Sequence, residues 1–234
     1  MNEPDPIGQL LKNYLAEGEQ KTRILEFHDE NLPAFKIFPA AQKFHHCYPG
    51  GYYDHVLEVM NNTLTIFPLV VLDVGKFDLE DVLVAAYFHD IDKACSLDPG
   101  KSFRYELDNE APTYKQVDYA KELGISISDC ESKTSISYKI DKVKAGETID
   151  EYAVPYFTYR KERSPMDDGA IVASICAHNG ILLNNKVLSA ICTHHGSFSP
   201  LVAMMKVQIT PLGILLHTAD YISSHAQNGR SLGR

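Results

Sequence analysis

Apolar residues recur at helical spacing along most of the chain. Ile7, Leu10, Leu11, Tyr14 and Leu15 share one side of a helix expected over 7–29. Residues 31–50 break the pattern, with Pro33, Pro39, Pro49 and Gly50-Gly51 marking a loop. Leu57, Met60, Leu64 and Phe67 restore it in a helix that carries His55 and runs to about Leu64. Asp78 has the chemistry of an N-cap, and a strongly apolar helix over Leu79 to Asp90 follows it.

Residues 95–166 differ in character. Charge, tyrosine and turn residues dominate, including Pro99-Gly100, Pro112 and Ala145-Gly146. Ile136, Tyr138 and Ile140 alternate with polar neighbours, which suggests a strand or hairpin, with a helix as the alternative. After Pro165 the helical pattern returns. Asp167-Asp168 can cap a helix through Ile171, Val172, Ile175 and Cys176, ending at His178-Asn179-Gly180. Asn184-Asn185 can cap another through Val187, Leu188, Ile191 and Cys192, ending at His194-His195-Gly196. Thr210-Pro211 fits N-cap and first helical position of a last helix through Leu215, Leu216 and Asp220, with a frayed tail after His225. The expected fold is mainly α, with an irregular and partly β segment in the middle.

Composition narrows the function classes. The 234 residues are 44% hydrophobic and 23% charged, the balance of a globular chain able to bury a core without staples. A net charge of -9 disfavours a surface that grips long nucleic acid by phosphate attraction, but leaves room for a nucleotide or a nucleic-acid end in a metal-lined cleft. The five cysteines are scattered and never spaced as C-x-x-C, so neither a disulfide framework nor a zinc ribbon is indicated. The polar, acidic N-terminus is unlike a signal peptide, and no apolar run reaches the length of a membrane span, so a cytoplasmic protein with no membrane partner is expected.

The candidate chemistry lies at helix ends. His89-Asp90 closes one apolar helix, and His178 and His194-His195 close two more, each followed by a glycine that lets the chain turn away. The partial negative charge of a helix C-terminus favours a nearby cation by about 0.3–1 kcal/mol. His55 and Asp220 sit within helices whose apolar faces must look inward. Five imidazoles and two carboxylates borne by helices form a ligand set for divalent metal, and facing helices are a known route to two-metal sites. His217 shares a face with Asp220 and fits a supporting role. His45 and His46, in the loop leading to the His55 helix, fit support of the ligands or contact with substrate.

These residues resemble the HD-domain superfamily of metal-dependent phosphohydrolases. The pattern H…HD…D is met by His55, His89-Asp90 and Asp220, and His89-Asp90-Ile91-Asp92-Lys93 is similar to the family's HD-I-G-K, with Asp92 where glycine is usual. The stretch His45-His46-Cys47-Tyr48-Pro49-Gly50-Gly51-Tyr52-Tyr53-Asp54-His55 resembles that of HD exonucleases of the YhaM type, and the extra histidines resemble those of dinuclear HD phosphodiesterases. The resemblance covers about 40–94 and 167–225. It implies a single HD-type helical bundle over 1–234, in which 95–166 is an insertion or lid.

It also implies a first metal held by His55, His89, Asp90 and Asp220. Asp90 would bridge to a second held by His178 and by His194, His195 or both. The ions would be two divalent cations, with Mn, Fe, Mg, Co, Ni or Zn all suited to the donors. Asp90 and Lys93 would carry the chemistry, with Lys93 on the phosphate. Beside it, His46 fits contact with substrate, and Arg104, Arg160 and Lys161, in the segment the resemblance does not cover, are either phosphate contacts or ordinary surface charges. Tyr105, Tyr114, Tyr138, Tyr156 and Tyr159 can stack on a base or pack the insertion down. The expected partner is a phosphorylated small molecule or nucleotide, or a single-stranded nucleic-acid end. Two other functions fit the same ligand set: a mixed-valent di-iron oxygenase, and an HD module that binds a nucleotide without turnover.

Overall fold

A computed structural model of the chain describes residues 4–42, 45–70, 77–98, 100–127, 131–149, 157–160 and 168–226. Ten α-helices and one two-stranded ribbon lie among them, so the fold is mainly α. The helices are α1 (Pro6–Tyr14), α2 (Glu19–Phe35), α3 (Gly51–Val70), α4 (Leu79–Phe88), α5 (Tyr114–Glu122), α6 (Lys133–Lys144), α7 (Asp168–His178), α8 (Asn185–Thr193), α9 (Pro200–Met205) and α10 (Pro211–Ala226). The strands are β1 (Tyr105–Leu107) and β2 (Phe157–Tyr159), antiparallel with Tyr105 opposite Tyr159. No described helix is long and apolar enough to cross a membrane.

The main core is built from α1 to α4, α7, α8 and α10. Helix α4 lies at its centre, with Val82, Leu83, Ala85, Ala86, Tyr87 and Phe88 all buried. Helices α3 and α8 flank it, and α10 packs across α3 and α8 through Leu212, Leu215, Leu216 and Ala219. Burying side chains of this size stabilises by about 1.5–3 kcal/mol each for Leu and Phe.

Several ends were legible in the chain. Asp78 and Asp81 form a reciprocal capping box on α4, Asn184 accepts from two backbone amides of α8, and the Thr210 hydroxyl accepts from the Gly213 amide ahead of α10. The cap expected at Asp167 for α7, and the tail beyond 226, fall outside the described residues.

Three expectations are corrected. The helix expected over 7–29 is two helices, broken where Leu15 adopts an extended conformation and Gly18 stands at the start of α2. Helix α2 then runs through Pro33 to Phe35 instead of yielding to a loop at 31. Proline in a helix costs about 3 kcal/mol, but here it disturbs only the last turn, and Ala34 and Phe35 are buried by continuing. Ile136, Tyr138 and Ile140 lie in α6, not in a strand. Ile136 and Ile140 are one helical turn apart and both buried, and Ser132 and Ser135 cap the helix reciprocally. The strands lie elsewhere in the middle segment, and α5 and α9 were not anticipated.

A polar knot ties α1 to the core. Asp5 accepts from the Gly8 amide, from the Tyr53 hydroxyl and from Nε2 of His28, whose Nδ1 meets the Tyr87 hydroxyl at 3.1 Å. A side chain at position 8 would place its Cβ 2.2 Å from an Asp5 carboxylate oxygen, so it would have to displace the Asp5 carboxylate from the knot.

Candidate metal centre

Helix α3 delivers His55 and α4 delivers His89 as its C-cap, with Asp90 next and a 3-10 turn over Ile91–Lys93 after it. Helix α8 ends on His194, and α10 carries Asp220. His55, His89, Asp90 and Asp220 offer ligand atoms that all lie within 4.8 Å of one another. Nε2 of His55 is 3.3 Å from Nε2 of His89, 3.4 Å from Oδ2 of Asp90 and 3.3 Å from Oδ1 of Asp220, and Nε2 of His89 is 3.2 Å from Oδ2 of Asp90. Asp90, His194 and His195 form a second such group, with Nε2 of His194 3.8 Å from Oδ1 of Asp90.

The hydrogen bonds behind the rings decide which nitrogens face the centre. Nδ1 of His89 meets the Ala86 carbonyl at 2.8 Å, and Nδ1 of His194 meets the Ile191 carbonyl at 2.6 Å. A carbonyl only accepts, so each Nδ1 bears its hydrogen and each Nε2 turns a lone pair inward. For His55 the partner of Nδ1 is the Ser223 hydroxyl at 3.0 Å, which itself donates to Oε2 of Glu58 at 2.9 Å and so accepts from the imidazole. Oε2 of Glu58 also lies 3.3 Å from Nε2 of His46. Ligand histidines in metal sites are held from behind in this way.

The residues fit a metal ion on two further counts. Donors bound to one ion at about 2.1 Å stand about 3.4 Å apart in tetrahedral geometry, the spacing found around His55, His89 and Asp90. Oδ1 of Asp90 and Nε2 of His194 are buried without a hydrogen-bond partner, the condition a cation relieves.

Electrostatics agree. Burial alone would raise the Asp90 carboxyl, but the Lys93 ammonium at 2.5 Å and the surrounding histidines hold it well below the usual carboxylate range. Burial is likewise overridden at Asp220, whose carboxyl is lowered by its hydrogen bond with His55. Burial opposes a charge on His55, yet Asp220 and Asp90 raise its pKa: without a cation, the carboxylates draw a proton instead. Burial lowers the pKa of His194. Asp92 is pushed up to about 6 by burial, against the opposing Arg104 guanidinium and with help from Asp90.

Not every expected residue reaches the centre. His178 is exposed at the end of α7 and joins none of the three ligand groups, the third being His45, His46 and His55, because the Gly180 turn follows it while α7 meets the centre at its other end. Arg104, expected on substrate, bridges Asp92 at 2.8 Å and Asp168 at 2.7 Å. His46 is buried behind His55, their rings 5.2 Å apart, and presents no open surface to a substrate. His45 is less enclosed, its ring 5.5 Å from that of His55. His217 supports from outside, Nδ1 meeting the His194 carbonyl. Arg160 donates to the Ser102 carbonyl at 2.8 Å, and Tyr105 stacks on Tyr159 inside the ribbon. Lys161 and Tyr156 lie outside the described residues.

Glu58, Ser223 and Asp168 were missed as parts of the centre. Glu58 lies three residues after His55, and Ser223 three after Asp220, so helical spacing places each beside a ligand. Nothing local marks Asp168 as more than a helix cap.

The glycine pair at the start of α3 is structural. A Cβ at Gly51 would fall 2.1 Å from the His46 carbonyl oxygen, and Gly50 has φ 82°. That close approach seats the His45-His46 loop against the start of α3. A groove of about 530 Å³ on the α5–α6 hairpin is lined by Lys115, Gln116, Tyr119, Ser137, Ile140 and Asp141, none of them part of the centre.

No family model, curated protein or solved structure matches the chain. Fold and site together define a class: a mainly α-helical protein with a buried His/Asp cluster suited to divalent metal.

Proposed function

We propose that the protein is a metal-dependent phosphohydrolase of the HD type, hydrolysing a phosphoester or phosphoanhydride of a nucleotide or a nucleic-acid end. The observation that supports it most is the convergence of two imidazoles and two carboxylates in a buried space, with Nε2 of His55 and Nε2 of His89 3.3 Å apart and each Nδ1 held from behind. His55, His89, Asp90 and Asp220 would hold one ion, and the free oxygen of Asp90 with His194 and His195 a second. Such ions supply Lewis acidity, a water acidic enough to ionise near neutral pH, and a clamp on phosphoryl oxygens.

The chain's own residues have separable tasks in this proposal. Ser223 and Glu58 fix the tautomer of His55, and the carbonyls of Ala86 and Ile191 fix those of His89 and His194. Lys93 stands beside Asp90 and would offset the negative charge of a phosphate there. His195 and Asp168 have the most accessible side chains of the group, at 36% and 38%, so substrate would approach from their side.

The test is purified protein supplied with Mn²⁺, Mg²⁺, Co²⁺, Fe²⁺, Ni²⁺ or Zn²⁺ and assayed against mononucleotides, cyclic dinucleotides and single-stranded oligonucleotides. Turnover that requires metal and disappears in Asp90→Ala is the expected result. Absence of metal-dependent turnover on all three substrate classes would contradict the proposal.

A further inference from the structure

The second half of the centre lacks a ligand expected from the sequence, since His178 is exposed at the far end of α7. At the near end of that helix stands Asp168. Its Oδ2 lies 3.7 Å from Nε2 of His195, and its Oδ1 lies 2.7 Å from Arg104. A separation of 3.7 Å is too long for a hydrogen bond. It is close to the roughly 3.4 Å that separates two donors sharing one tetrahedral ion. Oδ1 of Asp90 and Nε2 of His194, 3.8 Å apart, show the same spacing. Both atoms are buried without a hydrogen-bond partner, in residues each 1% exposed.

We propose that Asp168 is a carboxylate ligand of a second divalent ion, together with Asp90, His194 and His195, and that Arg104 holds it in place. This rests on the centre being a metal site, as proposed above. Asp168 stands beside His195 on the open side of the Asp90–His194–His195 group, outside that set of mutually close donors, so it would close the ion site by a shift of its side chain toward the ion. Arg104 is fixed by its second contact to Asp92, in the turn directly after the first ion's ligands His89 and Asp90. It also stands one residue before β1, so one guanidinium joins the ribbon, the turn and α7. That explains why a residue expected to contact phosphate is instead held between two carboxylates.

The test counts ions. Wild type, Asp168→Asn, Asp168→Glu and His178→Ala are reconstituted with Mn²⁺, desalted and measured by mass spectrometry for metal per chain. Electron paramagnetic resonance then reads spin coupling between neighbouring ions, and circular dichroism checks the fold. Two ions and a coupled signal are expected for wild type, His178→Ala and the carboxylate-preserving Asp168→Glu. One ion and an uncoupled signal are expected for Asp168→Asn. Should Asp168→Asn fail to fold, Arg104→Gln leaves every ligand in place and is expected to weaken the second ion about 10–100-fold, the usual effect of removing an outer partner. Two ions in folded Asp168→Asn at unchanged affinity would overturn the proposal, as would a wild type that binds one. A wild type that binds none would overturn the metal-site reading itself, a separate and distinguishable failure.

Discussion

Two of the charge groups buried among the described residues are built differently. On the α5–α6 hairpin, Nζ of Lys139 lies 2.6 Å from Oε1 of Glu131, whose other oxygen accepts from the Ser135 hydroxyl. The hairpin also has a small separate core of Ala120, Ile125, Ile136 and Ile140. Neither member of that pair keeps a buried atom without a partner. At the histidine centre the opposite holds: Asp90 and His194 each keep an unpartnered atom, and the two imidazoles of His55 and His89 face each other at 3.3 Å. A satisfied buried pair stabilises or specifies a fold, whereas an unsatisfied one costs free energy and needs another reason to persist. The comparison places the candidate function in the main helical core and gives the hairpin's ion pair a structural task.

Substitutions can break that comparison from either side. The largest effect is expected at Asp90: Asp90→Asn removes the one carboxylate shared by two of the ligand groups, and metal-dependent turnover should fall by about 10³-fold or more, beyond the usual loss for one charge-stabilising group. Steady-state assays at saturating metal read this directly. On the hairpin, Glu131→Ala leaves the Lys139 ammonium buried without its carboxylate. It should destabilise by about 3–5 kcal/mol in chemical denaturation while leaving metal binding unchanged. Loss of metal binding in that variant would erase the distinction between the two regions.

Smaller effects sharpen the picture. Ser223→Ala keeps every ligand but cuts the link from Glu58 to His55, so metal affinity should fall about 10–100-fold in calorimetric titration. The smallest concerns the polar knot at α1. Burial lowers the pKa of His28, so the unfolded chain binds its proton first and stability is lost as pH falls below 6.5. Asp5 is also lowered, against burial, by its bonds from Tyr53 and Gly8, so its contribution is lost as pH falls below 3.8. Denaturation midpoints between pH 7 and 5 should fall less steeply in His28→Asn than in wild type. Equal slopes would show that His28 is not linked to folding.

Much of this was legible in the chain, for reasons that differ by element. The caps at Asp78, Asn184 and Thr210 are local chemistry, and local chemistry is readable. His55, His89, Asp90 and Asp220 come together because each rides on a helix whose apolar face must turn inward. The strand expected at Ile136–Ile140 failed because an i, i+4 apolar face sampled over a few residues also alternates at period two. His178 failed for a related reason: a histidine before a glycine at a helix end looks the same whether that end points at the centre or at solvent. Only tertiary packing shows that α7 meets the centre with its first residue, Asp168, and not its last. Arg104 was readable as a cation near the site, but its two carboxylate partners come from distant parts of the chain.

The central claim is that His55, His89, Asp90 and Asp220 surround a divalent ion. Anomalous diffraction from crystals grown with Mn²⁺ tests it most directly. The account predicts a strong peak bounded by Nε2 of His55, Nε2 of His89, Oδ2 of Asp90 and Oδ1 of Asp220. An empty centre at saturating metal, with Lys93 still paired to Asp90, would contradict it.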